Sequence, residues 1–402
     1  MTITRLDSPA RQSRRIVAIS DFCDPAPPEP GGWDHARYRA AWSAIPPAPV
    51  VPRHAVRVVG GYLERLPLAA VAHGLADSAE VWTFAGRDDR TWDSEAGRAA
   101  DDRPAPAGLT RRVFRADAHS APYGSADAAA HVAVHGQPDI LCMWGLGVDE
   151  ALLDACPDSI VIYNSIDAPA IRIPHAVSRR VDVFLTGADW QSEEIRARHP
   201  GALCAVLPIG PEFASDETFF PTGAPKDFDV VYVAATQPYK RHDLLIDALD
   251  RLPRGLRALC VVGYGHLTDQ LRQDAARRGI SVDWVGPVTH DEVNALINRA
   301  RVGVVCGVDD GAPAILTEYM LAGLPVLAND RLVCGRQYIT PRTGLTASED
   351  GFAEALASLI ARHGEFDPRP VVHAHWTWPH SIRRLAALID EARARRARKV
   401  SA

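Results

Sequence analysis

Between Asp309 and Val326 the chain reads Asp-Asp-Gly-Ala-Pro-Ala-Ile-Leu-Thr-Glu-Tyr-Met-Leu-Ala-Gly-Leu-Pro-Val. Asp310 precedes a turn made of Gly311, Ala312, Pro313 and Ala314, and Glu318 follows eight positions after Asp310. A turn of this composition opens a helix, whose first N–H groups lack partners inside the helix and whose dipole favours negative charge at that end. Such an end can hold a phosphate or a sugar oxygen. Eight residues are about two helical turns, so Glu318 falls where it can accept hydrogen bonds from a diol such as a ribose. Taken alone, the stretch reads equally well as a surface loop with incidental acids. Its place near the end of a long βαβ series shifts the balance.

Lys240 is the cation that could work with these acids. It follows one apolar run and precedes an amphipathic one, which puts its ammonium at the C-terminal edge of a sheet. Ligands bind at such edges in open α/β folds, and a lysine there can neutralise a diphosphate. Gly263 and Gly265 would let backbone approach a ligand closely, although most two-glycine turns are only turns. His131 and His135 have the spacing of helical metal ligands. Only Val132, Ala133 and Val134 lie between them, so the glutamate of the zinc-protease motif is missing and no metal is expected.

The elements that must position these residues follow from hydropathy. Short apolar runs alternate with amphipathic segments, the pattern of a doubly wound parallel sheet. In the first half, strands are predicted at 16–20, 56–59, 80–84, 140–143, 160–163 and 181–186, with helices at 63–75, 148–155 and 192–199. The second half repeats the pattern more cleanly. Its strands are predicted at 230–234, 258–262, 281–285, 302–306 and 325–328, and its helices at 243–251, 267–277, 290–299, 315–322 and 351–362. Between the halves, 208–225 holds four Pro and two Gly, a linker composition. Residues 24–52 hold eight Pro together with Trp33, Tyr38 and Trp42, and read as a long functional excursion after the first strand. The division is therefore 1–210, 211–375 and a terminal helix within 376–402.

At 402 residues the chain suits two domains, and 47% hydrophobic with 23% charged residues is a soluble globular composition. A net charge of -6 without a long basic run argues against nucleic acid as the main partner. The run from Arg393 to Lys399 reads as a solvated helix end. Seven dispersed cysteines with no Cys-x-x-Cys pair read as free thiols in a reducing compartment. Asp21 cuts short the apolar run that begins at Ile16, so no signal peptide is expected, and no run is long enough to span a bilayer. A cytoplasmic protein is the expectation, with self-association left open.

The second half resembles the C-terminal domain of a retaining glycosyltransferase of the GT-B fold, family 4. The resemblance is carried by Val231-Tyr232-Val233-Ala234 with Tyr239-Lys240-Arg241-His242-Asp243, by Val261-Val262-Gly263-Tyr264-Gly265, and by Val285-Gly286-Pro287-Val288. Asp310 through Val326 and Thr343-Gly344-Leu345-Thr346 complete it. It implies two Rossmann-like α/β domains facing a cleft, with a last helix around 382–392 crossing back onto the first. A nucleoside-diphosphate sugar would lie mainly on the second domain and the acceptor on the first, without a bound metal or other cofactor. Lys240 would meet the diphosphate, Asp310 the donor sugar and Glu318 the ribose hydroxyls. The loops at Gly263, Gly265, Val285 and Gly311 to Ala314 would surround the donor. Gly31-Gly32 is favoured as the glycine loop of the first domain, with Gly60-Gly61 as the second candidate. Asp167 stands where many members carry a histidine near the reacting carbon; there it could accept a proton or hold a hydroxyl, and a turn aspartate before Pro169 is the equal alternative. Trp144 and Asn164 would lie on the acceptor side.

The sequence also departs from the family pattern. Asp310 replaces a glutamate, Gly311-Ala312-Pro313 replaces Gly-Phe-Gly, and Pro313 offers no N–H. Ala235 stands where an arginine is usual, which leaves Arg241 as the candidate second cation. The expected function is transfer of a sugar to a small soluble acceptor of secondary-metabolite or thiol type. The alternatives left open are a nucleotide-sugar epimerase or other GT-B enzyme, and a non-catalytic nucleotide-sugar binder.

Overall fold

A computed structural model describes residues 13–25, 47–86, 106–117, 124–146 and 148–401. Two parallel sheets carry the chain. In the first, the strands are β1 (Arg15–Pro25), β2 (Ser78–Gly86), β3 (Leu109–Arg115), β4 (Ile140–Trp144), β5 (Ile160–Asn164), β6 (Val183–Thr186) and β7 (Cys204–Val206). Their order is β3-β2-β1-β4-β5-β6-β7. The second sheet holds β8 (Phe228–Val233), β9 (Arg257–Val261), β10 (Ser281–Val285), β11 (Ala300–Val305), β12 (Val326–Asn329) and β13 (Gly344–Ala347), in the order β10-β9-β8-β11-β12-β13. In both sheets the winding reverses beside the first strand, between β1 and β4 and between β8 and β11. Crevices for ligands open at such reversal points, beyond the C-terminal strand ends.

The central strands are buried on both faces, as in β4 and β5, because helices cover each side of a parallel sheet. Helix Trp378–Val400 places Ile382, Leu385, Ile389 and Ala392 on one stripe. That stripe joins the first sheet's core with Ile16, Leu66 and Ile160, so the last helix does cross back, and it is longer than the sequence suggested. Trp376 packs on Tyr338 with ring centroids 5.0 Å apart. That contact packs the segment before the last helix onto the second half's core.

The main differences from the predicted elements lie in the first half. Residues 56–59 form no strand: Val56 and Val58 are buried, but the Val58 N–H is donated to the Glu217 carboxylate at 3.0 Å instead of to a neighbouring strand. Strands β3 and β7 and helix Ala126–His135 were not predicted. In the second half, β13 and helix Pro368–His375 are additions. His131 packs against Trp82 and Phe114 in the first core, with the tilted ring of His135 4.5 Å away. Cys142, Cys260 and Cys306 are fully enclosed, and burial pushes the Cys260 thiol up to about 12, so these thiols are inert. Among the described residues no helix is long and apolar enough to cross a membrane.

Candidate active site

Lys240 and Asp310 meet at the reversal point of the second sheet. Lys240 ends the tight turn Pro238–Lys240 beyond β8, and Asp310 ends the loop beyond β11, the neighbouring strand. The Lys240 ammonium donates to Asp310 Oδ2, with 18% and 9% of the two side chains exposed. The Tyr239 ring lies 5.1 Å from the ammonium, a cation–π distance. Tyr232 donates its hydroxyl to the Lys240 carbonyl at 2.6 Å, and Val308 N donates to the Tyr239 carbonyl at 3.1 Å, so the two loops hold each other. Burial works against the lysine's charge, but Asp310 and Tyr239 outweigh it and hold the ammonium above its usual range. The cation therefore persists at neutral pH. Burial also pushes the Tyr239 phenol up to about 12, so it remains a neutral donor.

Asp310 is not on the helix. That helix runs Ile315–Leu321, so Glu318 stands in its first turn, and the conformation of the Gly311 to Ala314 loop sets the relation of the two acids. The loop is pressed against the first half. A Cβ on Gly311 would lie 2.6 Å from the backbone N of Asp167, and one on Gly187 would lie 2.0 Å from the Gly311 carbonyl. Both positions require glycine for the halves to come this close. Gln191, fully buried, donates to the Asp167 carbonyl at 2.7 Å and accepts from Gly187 N at 2.7 Å. Trp190 donates to the Val333 carbonyl at 2.9 Å, and Gln337 to the Gly187 carbonyl at 3.0 Å. Polar contacts thus close this side of the cleft.

Glu318 is met by a residue that the sequence reading overlooked. Arg65, on helix Tyr62–His73 of the first half, is fully buried and donates through Nη2 to Glu318 Oε1 at 2.5 Å. Its Nε donates to the Gly60 carbonyl at 2.9 Å and its Nη1 to the Gly210 carbonyl at 3.4 Å. The available signal was an arginine set immediately before the apolar run from Leu66 to Val71, since a buried charge demands a partner. On the same helix end, a Cβ on Gly61 would lie 2.6 Å from the His290 ring of the second half. Gly60-Gly61 is therefore the glycine pair seen against the second half, while Gly31-Gly32 lies outside the described residues.

Other expected site residues have different surroundings. Arg241 does not join Lys240. Its guanidinium donates to both oxygens of Glu349 at 2.8 and 3.1 Å and to Asp243 at 3.0 Å, because two carboxylates of its own half hold it. It is the one described non-glycine residue with positive φ, at 52°. Gly263 is exposed with open space around it, whereas Gly265, at φ +128°, lets its loop lie against Thr236. The Val285 carbonyl accepts from Val262 N at 2.7 Å. Asp167 accepts from Arg172 at 3.0 Å, both side chains being partly exposed. Asn164 is buried and accepts from Ile209 N at 3.2 Å, tying β5 to the segment between the sheets. Trp144 is also buried, with its ring 4.7 Å from that of Tyr62.

Residues 214–365 match the family profile of glycosyl transferases group 1. Over 242 residues the chain is 30% identical to the D-inositol 3-phosphate glycosyltransferase of Mycobacteroides abscessus. That match covers 57% of this chain and spans half the length of the relative. Among solved structures, sucrose-phosphate synthase from Thermosynechococcus elongatus superposes with a TM-score of 0.63 at 15% identity, covering 95% of this chain and 100% of that one. Anabaena HepE, in complex with UDP and glucose, gives 0.62 at 15% identity, covering 94% and 99%. At such identities the structural likenesses speak for the fold. The chain has the GT-B fold of these structures, and residues 214–365 of its second half match the glycosyl transferases group 1 profile.

Proposed function

We propose that the protein transfers a sugar from a nucleoside-diphosphate sugar to a small soluble acceptor, with retention at the anomeric carbon. The carrying observation is the Lys240–Asp310 pair at the sheet reversal point, inside the matched stretch and facing the first half. The bond from the anomeric carbon to the β-phosphate oxygen breaks, and its electron pair leaves on the diphosphate. Lys240 turns from Asp310 toward that growing charge, the kind of stabilisation that counts most in the transition state. Asp310 then holds a sugar hydroxyl, and Glu318 the ribose. The acceptor attacks on the face from which the diphosphate departs, and its proton passes to the departing oxygen. Asp167, already paired with Arg172, orients a hydroxyl instead of serving as a free base.

Retention and membership of family 4 come from the resemblance in the donor loops. The donor class draws support from the UDP and glucose held by the structural neighbour. The acceptor class draws support from the inositol phosphate in the name of the Mycobacteroides relative. A cytoplasmic location agrees with the six described cysteines being unpaired. The reading includes no resident metal, so turnover should withstand EDTA. The deciding experiment measures nucleoside-diphosphate release from UDP-, GDP- and ADP-sugars with a panel of polyol, thiol and aromatic acceptors. Donor binding without release on any acceptor would sink the enzymatic reading. Turnover on polymeric glycans alone would sink the acceptor class.

A further inference from the structure

We propose that Arg65 is a positioning residue for nucleoside recognition: it takes one oxygen of Glu318 across the cleft, aims the other at the ribose, and makes that contact depend on closure of the two halves. The inference rests on the reading of Glu318 as the ribose residue.

A guanidinium as deeply buried as that of Arg65 persists only when paired and hydrogen-bonded. Its bonds reach three separate segments: the Gly60 carbonyl ahead of its own helix, the Gly210 carbonyl between the sheets, and Glu318 in the second half. Phe219 lies 5.4 Å from the guanidinium carbon, another contact that fixes it. Swinging the group away would strand a buried carbonyl or a carboxylate, so its direction is set.

Glu318 is the less satisfied partner. Its side chain keeps 9% exposure, and among the described residues Oε2 accepts no hydrogen bond. An ionised carboxylate has about four acceptor positions, so Oε2 retains capacity for the two vicinal hydroxyls of a ribose. Arg65 and Glu318 belong to different halves, so their bond ties the two halves together across the cleft. Opening would separate a cation from an anion that had been shielded from water. Nucleoside binding and closure therefore favour each other, and the coupling is reciprocal.

The test compares Arg65→Met, Arg65→Lys, Glu318→Gln and Lys240→Ala with the native protein. Calorimetry with UDP, GDP and ADP identifies the tightest ligand, and its 2′-deoxy counterpart is then titrated. The native protein should prefer the ribonucleotide by about tenfold or more, equivalent to about 1.4 kcal/mol. The ratio should fall toward unity in Arg65→Met and Glu318→Gln. Arg65→Lys, which keeps a charge without the planar fork, should fall between. Lys240→Ala should weaken both nucleotides alike and leave the ratio intact. Thermal melts confirm folding, and if Arg65→Met does not fold, Arg65→Lys decides.

A folded Arg65 variant with the full native ratio overturns the inference, and if Glu318→Gln still loses the ratio, the donor-site reading survives. Native protein that binds nucleotide without telling ribose from deoxyribose also overturns it. Failure to bind any of the three diphosphates removes the donor-site reading and this inference together.

Discussion

Glu80 and Glu318 are both buried carboxylates paired with arginine, yet they differ in how fully they are satisfied. Glu80 sits on β2 with no exposed surface. Its Oε1 accepts from Ala48 N at 3.1 Å and Arg112 Nη2 at 3.2 Å; its Oε2 accepts from Trp82 Nε1 at 2.7 Å and Arg112 Nε at 2.5 Å. Arg15 adds a further cation at 3.7 Å. Burial alone would raise this carboxyl, but Arg112, Trp82 and Arg15 together hold it below its usual range. Glu318 accepts one bond from one arginine and, among the described residues, its other oxygen accepts none. A carboxylate whose positions are filled holds the scaffold together, whereas one left half-filled at a cleft can still bind something.

The largest effect expected from this contrast is at Glu80. Glu80→Ala removes the buried carboxylate that Arg112 and Arg15 both face and should cost about 3–5 kcal/mol in urea unfolding. A loss below about 1 kcal/mol would break the distinction between filled and half-filled acids. On the cleft side, Lys240→Ala should lower turnover by about 10²–10³-fold while the melting temperature barely moves. Near-normal turnover, or a matching loss of stability, would move Lys240 to the scaffold side.

His242 sharpens the comparison through pH. Burial, with Lys240 adding to it, pushes this histidine down to about 4, so it is neutral in the folded state. In the unfolded chain it gains a proton near its ordinary value of about 6.5. Its neutral form thus contributes stability that is complete above about 6.5 and is lost as pH falls toward 4, by about 3 kcal/mol in all. His242→Phe should flatten the stability profile across that window. An unchanged slope would refute the assignment. The smallest effect belongs to Arg241, whose ion pairs are partly exposed. Arg241→Ala should cost no more than about 1 kcal/mol and leave turnover close to native. A loss like that of Lys240→Ala would restore it as a second donor cation.

The second half was the more legible in sequence. β10, an edge strand of alternating polarity, occupies the predicted Ser281–Val285; β8, β9, β11 and β12 differ from prediction by one or two residues at their ends, because buried parallel strands appear as continuous apolar runs. In the first half, β3 escaped notice because its sequence, Leu-Thr-Arg-Arg-Val-Phe-Arg, spreads charge along an edge strand. β7, three residues long at the opposite edge, left even less pattern. The Lys240–Asp310 pairing bridges 70 positions and was still accessible, since each residue follows a strand and strand ends converge at a reversal point. Arg241 beside Lys240 looked equivalent in sequence, but the carboxylate that claims it, Glu349, lies 108 positions away.

By itself, the sequence determined the alternating strands and helices, the loops that bear Lys240 and Asp310, and the likeness of the donor stretches to a known family. These depend on local periodicity and turn chemistry, which a linear reading contains. Tertiary structure alone decided that Gly61 abuts the second half, where Arg241 points, and which oxygen of Glu318 is left open. The last of these depends on an arginine 253 residues away, and hydrogen-bond saturation is a property of neighbours in space that no spacing along the chain encodes.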